Sequence, residues 1–191
     1  MKWARDEMGT ACHNKPMSLY PPTDRQGEAA RMLLLRVAGQ TLAVRQVEVA
    51  EILPLPRLSP LPEAPPILLG TFQLSREVVF VLPLAGLLGL AGAAEGVPLY
   101  HHLLLLPAAP GQPRLAILVD RVTDLVSAAQ QPLSPAESFN GCVDAEIRVE
   151  AELVPVVALH RLMTAYEAAR LQAFAVRQSL REAAFGSAGG G

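Results

Sequence analysis

The first patterned stretch begins at Met32. There MLLLRVAGQTLAV reads as two β-strands flanking Ala38-Gly39-Gln40, a hairpin-type turn whose glycine can take a positive φ. Leu42 and Val44 share one face at period two, and Val47 and Val49 share one after a three-residue step. That step predicts a bulge or a single helical turn between two half-strands. Next comes LPLPRLSPLPEAPP, with Pro54, Pro56, Pro60, Pro62, Pro65 and Pro66. Proline fixes φ and removes the amide donor, so this stretch predicts extended loop or polyproline II instead of central strand. It fits a ligand for an SH3- or WW-type groove, or more simply a stiff connection crossing the end of a barrel.

A second β-rich block follows, from Leu103 to Leu106, Arg114 to Val126 and Ala145 to Leu159, with the turn PAAPGQP at Pro107 to Pro113. The pattern then becomes helical from about Leu159 to Phe185. Leu162, Tyr166, Ala169, Ala173, Val176, Leu180 and Ala183 step by four and three alternately, a heptad-like stripe. Gly186 and Gly189-Gly190-Gly191 stop it. The alanines make the stripe too thin for an isolated coiled coil, so the helix is expected to dock on its own domain or on a partner. Residues 1 to about 30 lack this periodicity and read as a flexible tail.

An internal repeat is the strongest signal. EVVFVLPLAGLL (Glu77 to Leu88) aligns with ELVPVVALHRLM (Glu152 to Met163), pairing Val79 with Val154, Val81 with Val156 and Leu84 with Leu159. Upstream, LAVRQVEVAEI (Leu42 to Ile52) aligns without gaps on LAILVDRVTDL (Leu115 to Leu125), pairing Val49 with Val122 and Glu51 with Asp124. Leu- and Val-rich segments match by chance, but two blocks in the same order at nearly equal offset predict a duplicated unit.

Composition sharpens this picture. Of 191 residues, 51% are hydrophobic and 18% charged, which provides a sizeable core and excludes a disordered chain. The net charge of -2 argues against a nucleic-acid binder. A long, strongly apolar uncharged run, Val78 to Ala94, contains Pro83, Gly86, Gly89 and Gly92, and divides into a strand, a turn and a short apolar helix. It lies at the short limit of the roughly 17–25 residues a spanning helix needs. The second repeat copy carries His160 and Arg161 where the first has Ala85 and Gly86, which a spanning helix would not tolerate. The N-terminus has no apolar signal region, so the cytoplasm is the expected location. Cys12 and Cys142 form neither a disulfide framework nor a CxxC metal spacing.

No catalytic or cofactor motif stands out. His101 and His102 are adjacent in an expected strand and point to opposite faces, which does not suit a shared metal. His13 falls in the tail, and His160 reads as a surface residue at a strand-to-helix turn. Asp120, Arg121 and Asp124 read as a solvated rim or local ion pair. Glu77 and Glu152 occupy equivalent strand starts facing water.

The order of these segments resembles the CheW-like domain of bacterial chemotaxis coupling proteins, from about Met32 to Met163. The resemblance is carried by VEVAEILPLP (Val47 to Pro56), PPILLGTFQL (Pro65 to Leu74), VVFVLPLAGLLGL, LAILVDRVTDLV (Leu115 to Val126) and AELVPVVALHRLM. It implies a mainly β fold of two pseudo-symmetric, small, five-stranded SH3-like barrels over 31–163. A flexible tail at 1–30, a C-terminal helix at 164–185 and a disordered Gly-rich end at 186–191 complete the chain. It implies a non-enzymatic, cofactor-free adaptor that couples the cytoplasmic tip of chemoreceptors to the regulatory domain of a CheA-type histidine kinase. Such an adaptor sits in the cytoplasm at receptor arrays or a cell-pole assembly, without binding nucleic acid or inserting into the membrane. The implied partner-binding residues are Val49, Glu51, Gly70, Leu74, Ser75, Arg76 and Val81. The chain departs from the family at two places. Where members read N-L-R-G, it has Gln73-Leu74-Ser75-Arg76, and a proline and an aspartate of the next strand are replaced by Phe80 and Pro83. These departures imply a divergent or accessory member, and the alternative to receptor–kinase coupling is a CheW-like scaffold with an altered receptor contact serving another motility- or pilus-linked assembly.

Overall fold

The computed structural model describes residues 29–90, 100–134, 138 and 141–186. Most of the expected tail, with Cys12 and His13, lies outside these residues, as do the end of the apolar run at 91–94 and the final glycines. Among the described residues, eleven strands form two curled sheets. In chain order they are β1 (Ala30–Val37), β2 (Gln40–Arg45), β3 (Glu51–Pro54), β4 (Gly70–Leu74), β5 (Glu77–Pro83), β6 (His102–Leu105), β7 (Arg114–Val119), β8 (Arg121–Ala128), β9 (Gln130–Pro132), β10 (Val143–Val149) and β11 (Glu152–Val157). A four-residue helix, α1 (Leu84–Leu87), follows β5, and a long one, α2 (Ala165–Gly186), ends the described chain. None of the helices described is long and apolar enough to cross a membrane.

One sheet runs β8-β1-β2-β11-β10-β9 and the other β3-β6-β7-β5-β4. The first has six strands where five were expected, because the short β9 adds to its edge. The backbone register reproduces the sequence repeat independently. Val81 lies opposite Ala116 in one sheet, and their repeat equivalents Val156 and Ala43 lie opposite each other in the second. Glu51 faces Leu105 as Asp124 faces Leu34. Each sheet nevertheless mixes the two copies, since hairpin β1–β2 joins β8 to β11 while hairpin β6–β7 joins β3 to β5. The chain crosses between sheets at the short breaks β2–β3 and β7–β8. The first of these holds a single 3-10 turn at Gln46–Glu48, as the Val47–Val49 step predicts.

This exchange explains the unbroken apolar runs. Successive residues of a strand point to opposite faces, and here both faces are interior. On β1, Leu33, Leu35 and Val37 enter a core between the sheets while Met32 and Leu34 enter the core of their own barrel. On β7, Leu115, Ile117 and Val119 face the shared core while Ala116 and Leu118 face the other barrel. The expectation of two barrel cores is therefore incomplete: a third core, shared by both sheets, is the largest cluster among the described residues.

The proline segment is the expected stiff connection. Leu55 and Leu58 pack on one barrel core, Leu61 and Ile67 on the shared one. Ser59 and Thr71 exchange two backbone hydrogen bonds of 2.7 and 2.9 Å, which ties the segment after β3 to β4 across the ends of the five-stranded sheet.

The final helix starts later than its hydrophobic pattern suggests. Leu159–Arg161 forms a 3-10 turn, and Thr164 begins α2 with a capping box: its amide and hydroxyl donate to Glu167 Oε2, and the Glu167 amide donates back to Thr164 Oγ1. The docked face also differs. Leu171 and Phe174 are buried in the shared core, whereas Ala169, Ala173, Val176 and Leu180 of the predicted stripe are exposed. Phe174 meets Phe80 edge-on, ring centroids 6.4 Å apart. The Phe80 departure from the family pattern thus has a structural use as the seat for α2.

Candidate functional site

The two crossings between sheets lie side by side and enclose an open groove of about 390 Å³, lined by Leu33, Gln46, Val49–Ile52 and Val122–Leu125. Its two walls are repeat equivalents: Val49, Glu51 and Ile52 on one side correspond to Val122, Asp124 and Leu125 on the other. Buried Leu33 lies at the floor, with Val49 and Val122 half-buried against the shared core. Ile52 and Leu125 are 40% and 38% exposed, and Val47, next to the lining residue Gln46 in the chain, is 65% exposed. Exposed apolar side chains gathered at one place mark an interaction surface. Glu51 and Asp124 place a carboxylate on each wall.

Both walls are held by polar contacts between sequence-distant segments. Before the first wall, Glu48 Oε2 accepts the Leu159 amide at 2.6 Å and lies 3.6 Å from His160 Nδ1, while Glu48 Oε1 lies 3.4 Å from Arg45. Arg45 also reaches Asp144 at 2.7 Å. His160 is therefore a largely buried partner of Glu48 and not the surface residue expected from its turn. Leu159 Nα and Glu48 are 111 residues apart, a separation that local sequence patterns do not report. On the second wall, His102 Nδ1 accepts the Val122 amide at 2.9 Å, so its proton sits on Nε2. Thr123 Oγ1 donates to the Leu34 carbonyl, and Asp120 Oδ2 accepts the Ala38 amide at 2.8 Å. Asp120 thus braces the β1–β2 turn and its other oxygen lies 4.0 Å from His101 Nε2, where the sequence suggested a solvated rim or a local ion pair. Glu77 and Glu152 are exposed at the starts of β5 and β11, as expected.

The seven residues singled out from sequence do not form one site. Val49 and Glu51 line the groove. The other five sit on hairpin β4–β5. Val81 is 0% exposed and points into a barrel core, so it presents no surface to a partner. Gly70 is buried as well, and its place is set by the close approach of Ser59. Leu74 is half-buried against the same barrel core. Ser75 and Arg76 are exposed at the hairpin tip. Their positive φ of 48° and 77°, between the paired Leu74 and Glu77, make them the two central residues of a type I′-like turn. Because neither residue is in a strand, the arginine's place at Arg76, one position later than in the N-L-R-G pattern, does not flip it across a sheet. The turn also explains why the family pattern places glycine at the second position. A non-glycine residue in this conformation costs about 1–2 kcal/mol, so Arg76→Gly is expected to raise stability by about 1 kcal/mol, read as a higher urea midpoint. A lower midpoint would show that the arginine side chain holds the turn.

Ile52, Val122, Asp124 and Leu125 line the groove too but are not among the partner-binding residues named from sequence. The repeat held the signal, since each is the symmetric counterpart of, or next to, a residue already named. Among the described residues, no group of three or more His, Cys, Asp or Glu side chains is placed to hold a metal ion. Cys142 is buried with its Sγ 3.3 Å from the Arg161 carbonyl. Burial raises its thiol pKa, against the Arg161 charge and with a smaller push from Glu167, which disfavours the reactive thiolate.

Comparison with known proteins agrees with this geometry. The model of the family described as CheW-like domain matches residues 31–167. The scaffolding protein TtCheW from Thermoanaerobacter tengcongensis shares the fold at a TM-score of 0.60 and 14% identity, over 75% of this chain and 93% of that one. A search of curated proteins gave no match. Since the family match takes in both curled sheets and the groove between them, this chain belongs to the CheW-like domain family.

Proposed function

We propose that the chain is a non-enzymatic adaptor of chemotaxis-type signal transduction, working in the cytoplasm. It couples the cytoplasmic tip of chemoreceptors to the regulatory domain of a CheA-type histidine kinase. The groove carries this reading: two symmetric walls present Ile52 and Leu125 to solvent around a fixed apolar floor. A partner suited to it offers apolar side chains, with basic groups facing Glu51 and Asp124. The Ser75-Arg76 tip supports the narrower reading of an altered receptor contact, as in a motility- or pilus-linked assembly.

The test is calorimetric titration of the purified chain with a CheA-type kinase regulatory domain and with a receptor-tip fragment. Ile52→Glu combined with Leu125→Glu is expected to weaken binding at the groove by tenfold or more, since like and unpaired charges at an interface are costly to desolvate. The unfolding midpoint should hold, because both side chains are already partly in water. Val49→Glu is a poorer probe because Val49 also packs on the shared core. Absence of binding to both partners, or binding untouched by the double variant, would overturn the reading.

A further inference from the structure

Helix α2 carries two apolar faces, and the domain covers only one. Leu171 and Phe174 are buried, and the helix is further tied by Gln172 Nε2 donating to the Gly111 carbonyl at 2.8 Å and by Arg181 lying 3.4 Å from Glu63. At 3.6 residues per turn, Ala169, Ala173, Val176 and Leu180 lie on the side opposite these buried residues. All four are exposed, Val176 at 49% and Leu180 at 66%. Their spacing of four, three and four residues is that of a helix-pairing seam, not of random surface positions. One flank of the seam carries Arg170 and Arg177, seven residues apart and both exposed, while the other carries Gln172 and Ser179.

We propose that this seam docks a partner helix whose own apolar seam is flanked by acidic residues. The small side chains of Ala169 and Ala173 allow close backbone approach, which a helix can use. A bilayer surface would instead call for bulky Trp, Phe and Leu side chains across a wider face. A second copy of the chain fits less well. Antiparallel pairing sets the arginine flank against itself, and parallel pairing sets it against Gln172 and Ser179, so neither offers a carboxylate. The seam is separate from the groove, so one docked helix leaves the proposed adaptor surface open.

The experiment uses the full chain and a synthetic helical peptide of about four heptads with Leu and Ala along its seam and Glu on both flanks. A matched peptide with Lys on the flanks is the control, and binding is read by fluorescence anisotropy. The Glu peptide is expected to bind saturably and the Lys peptide roughly tenfold or more weakly. Leu180→Glu and Arg177→Glu are each expected to weaken the Glu peptide by about tenfold at unchanged unfolding midpoint. Val176→Gln, a milder change on the same seam, gives a second reading if either charged variant alters folding. Failure of the Glu peptide to saturate, equal binding of the Lys peptide, or indifference to Leu180→Glu and Val176→Gln overturns the proposal. So does self-association in sedimentation that Leu180→Glu abolishes, which would assign the seam to a second copy. Flotation with phosphatidylserine vesicles that Leu180→Glu abolishes would assign it to a lipid surface and overturn the proposal equally.

Discussion

Leu82→Ala is expected to lower the stability of the domain by about 3–4 kcal/mol, the range for deleting a fully buried leucine whose surroundings relax only in part. Leu82 is 0% exposed on β5 and lies in the core shared by the two sheets. The sheets should therefore unfold together. A companion variant, Ile147→Ala, empties a 0% exposed position in the core of the six-stranded sheet alone. If the shared core couples the sheets, this variant also lowers the amide exchange protection of Val79 to Leu82 in the other sheet, because both open only by global unfolding. Urea denaturation followed by circular dichroism gives the free energies, and hydrogen exchange gives the coupling. Unchanged protection in β5 after Ile147→Ala would show two barrels that open independently.

Gly70→Ala is expected to be nearly as damaging, at about 2–4 kcal/mol from strained backbone and steric conflict together. Gly70 has φ +155°, and a Cβ there would stand 2.9 Å from the Ser59 carbonyl oxygen and 3.2 Å from Leu58 Cβ. The Ser59 oxygen belongs to the backbone that exchanges two hydrogen bonds with Thr71, so it cannot yield without breaking that tie. The variant should release the proline segment from β4, seen as faster exchange of the Ser59 and Thr71 amides at a lower thermal midpoint. A wild-type midpoint would show that the segment after β3 moves aside freely. The family resemblance implies Gly70 as a partner contact. In the fold, its lack of a side chain lets two backbone segments touch.

Local pattern carried a good part of the result. The hairpin turn after Val37 (closed one residue sooner than expected, since Gln40 already pairs with Val37), the helical step at Val47 and the paired strand starts at Glu77 and Glu152 are set by neighbours in sequence. The repeat went further, since equal spacing of like segments foretold a symmetry that the strand register confirms. Reading failed where one pattern had two physical explanations. The stripe from Leu162 to Leu180 is an apolar helix face, but periodicity does not say which of two faces packs inward. Phe80 and the loop near Gly111 settle that from outside the helix. The hydrophobic pattern starts the helix near Leu159, ahead of the observed Ala165, because Leu159 and Leu162 are apolar for another reason: both fill the shared core ahead of the cap at Thr164.

The amino-acid sequence by itself determined the mainly β class, the duplicated unit and the family, because alternation, turn chemistry and repeat spacing are properties of neighbouring or regularly spaced residues. Tertiary structure alone decided that each copy lends a hairpin to the other's sheet and that the largest core lies between the sheets. It alone decided that Val49 to Ile52 and Val122 to Leu125 face each other across one groove. These depend on pairings between residues far apart in the chain, such as Glu48 with Leu159 and Leu34 with Asp124, whose partners no local pattern names.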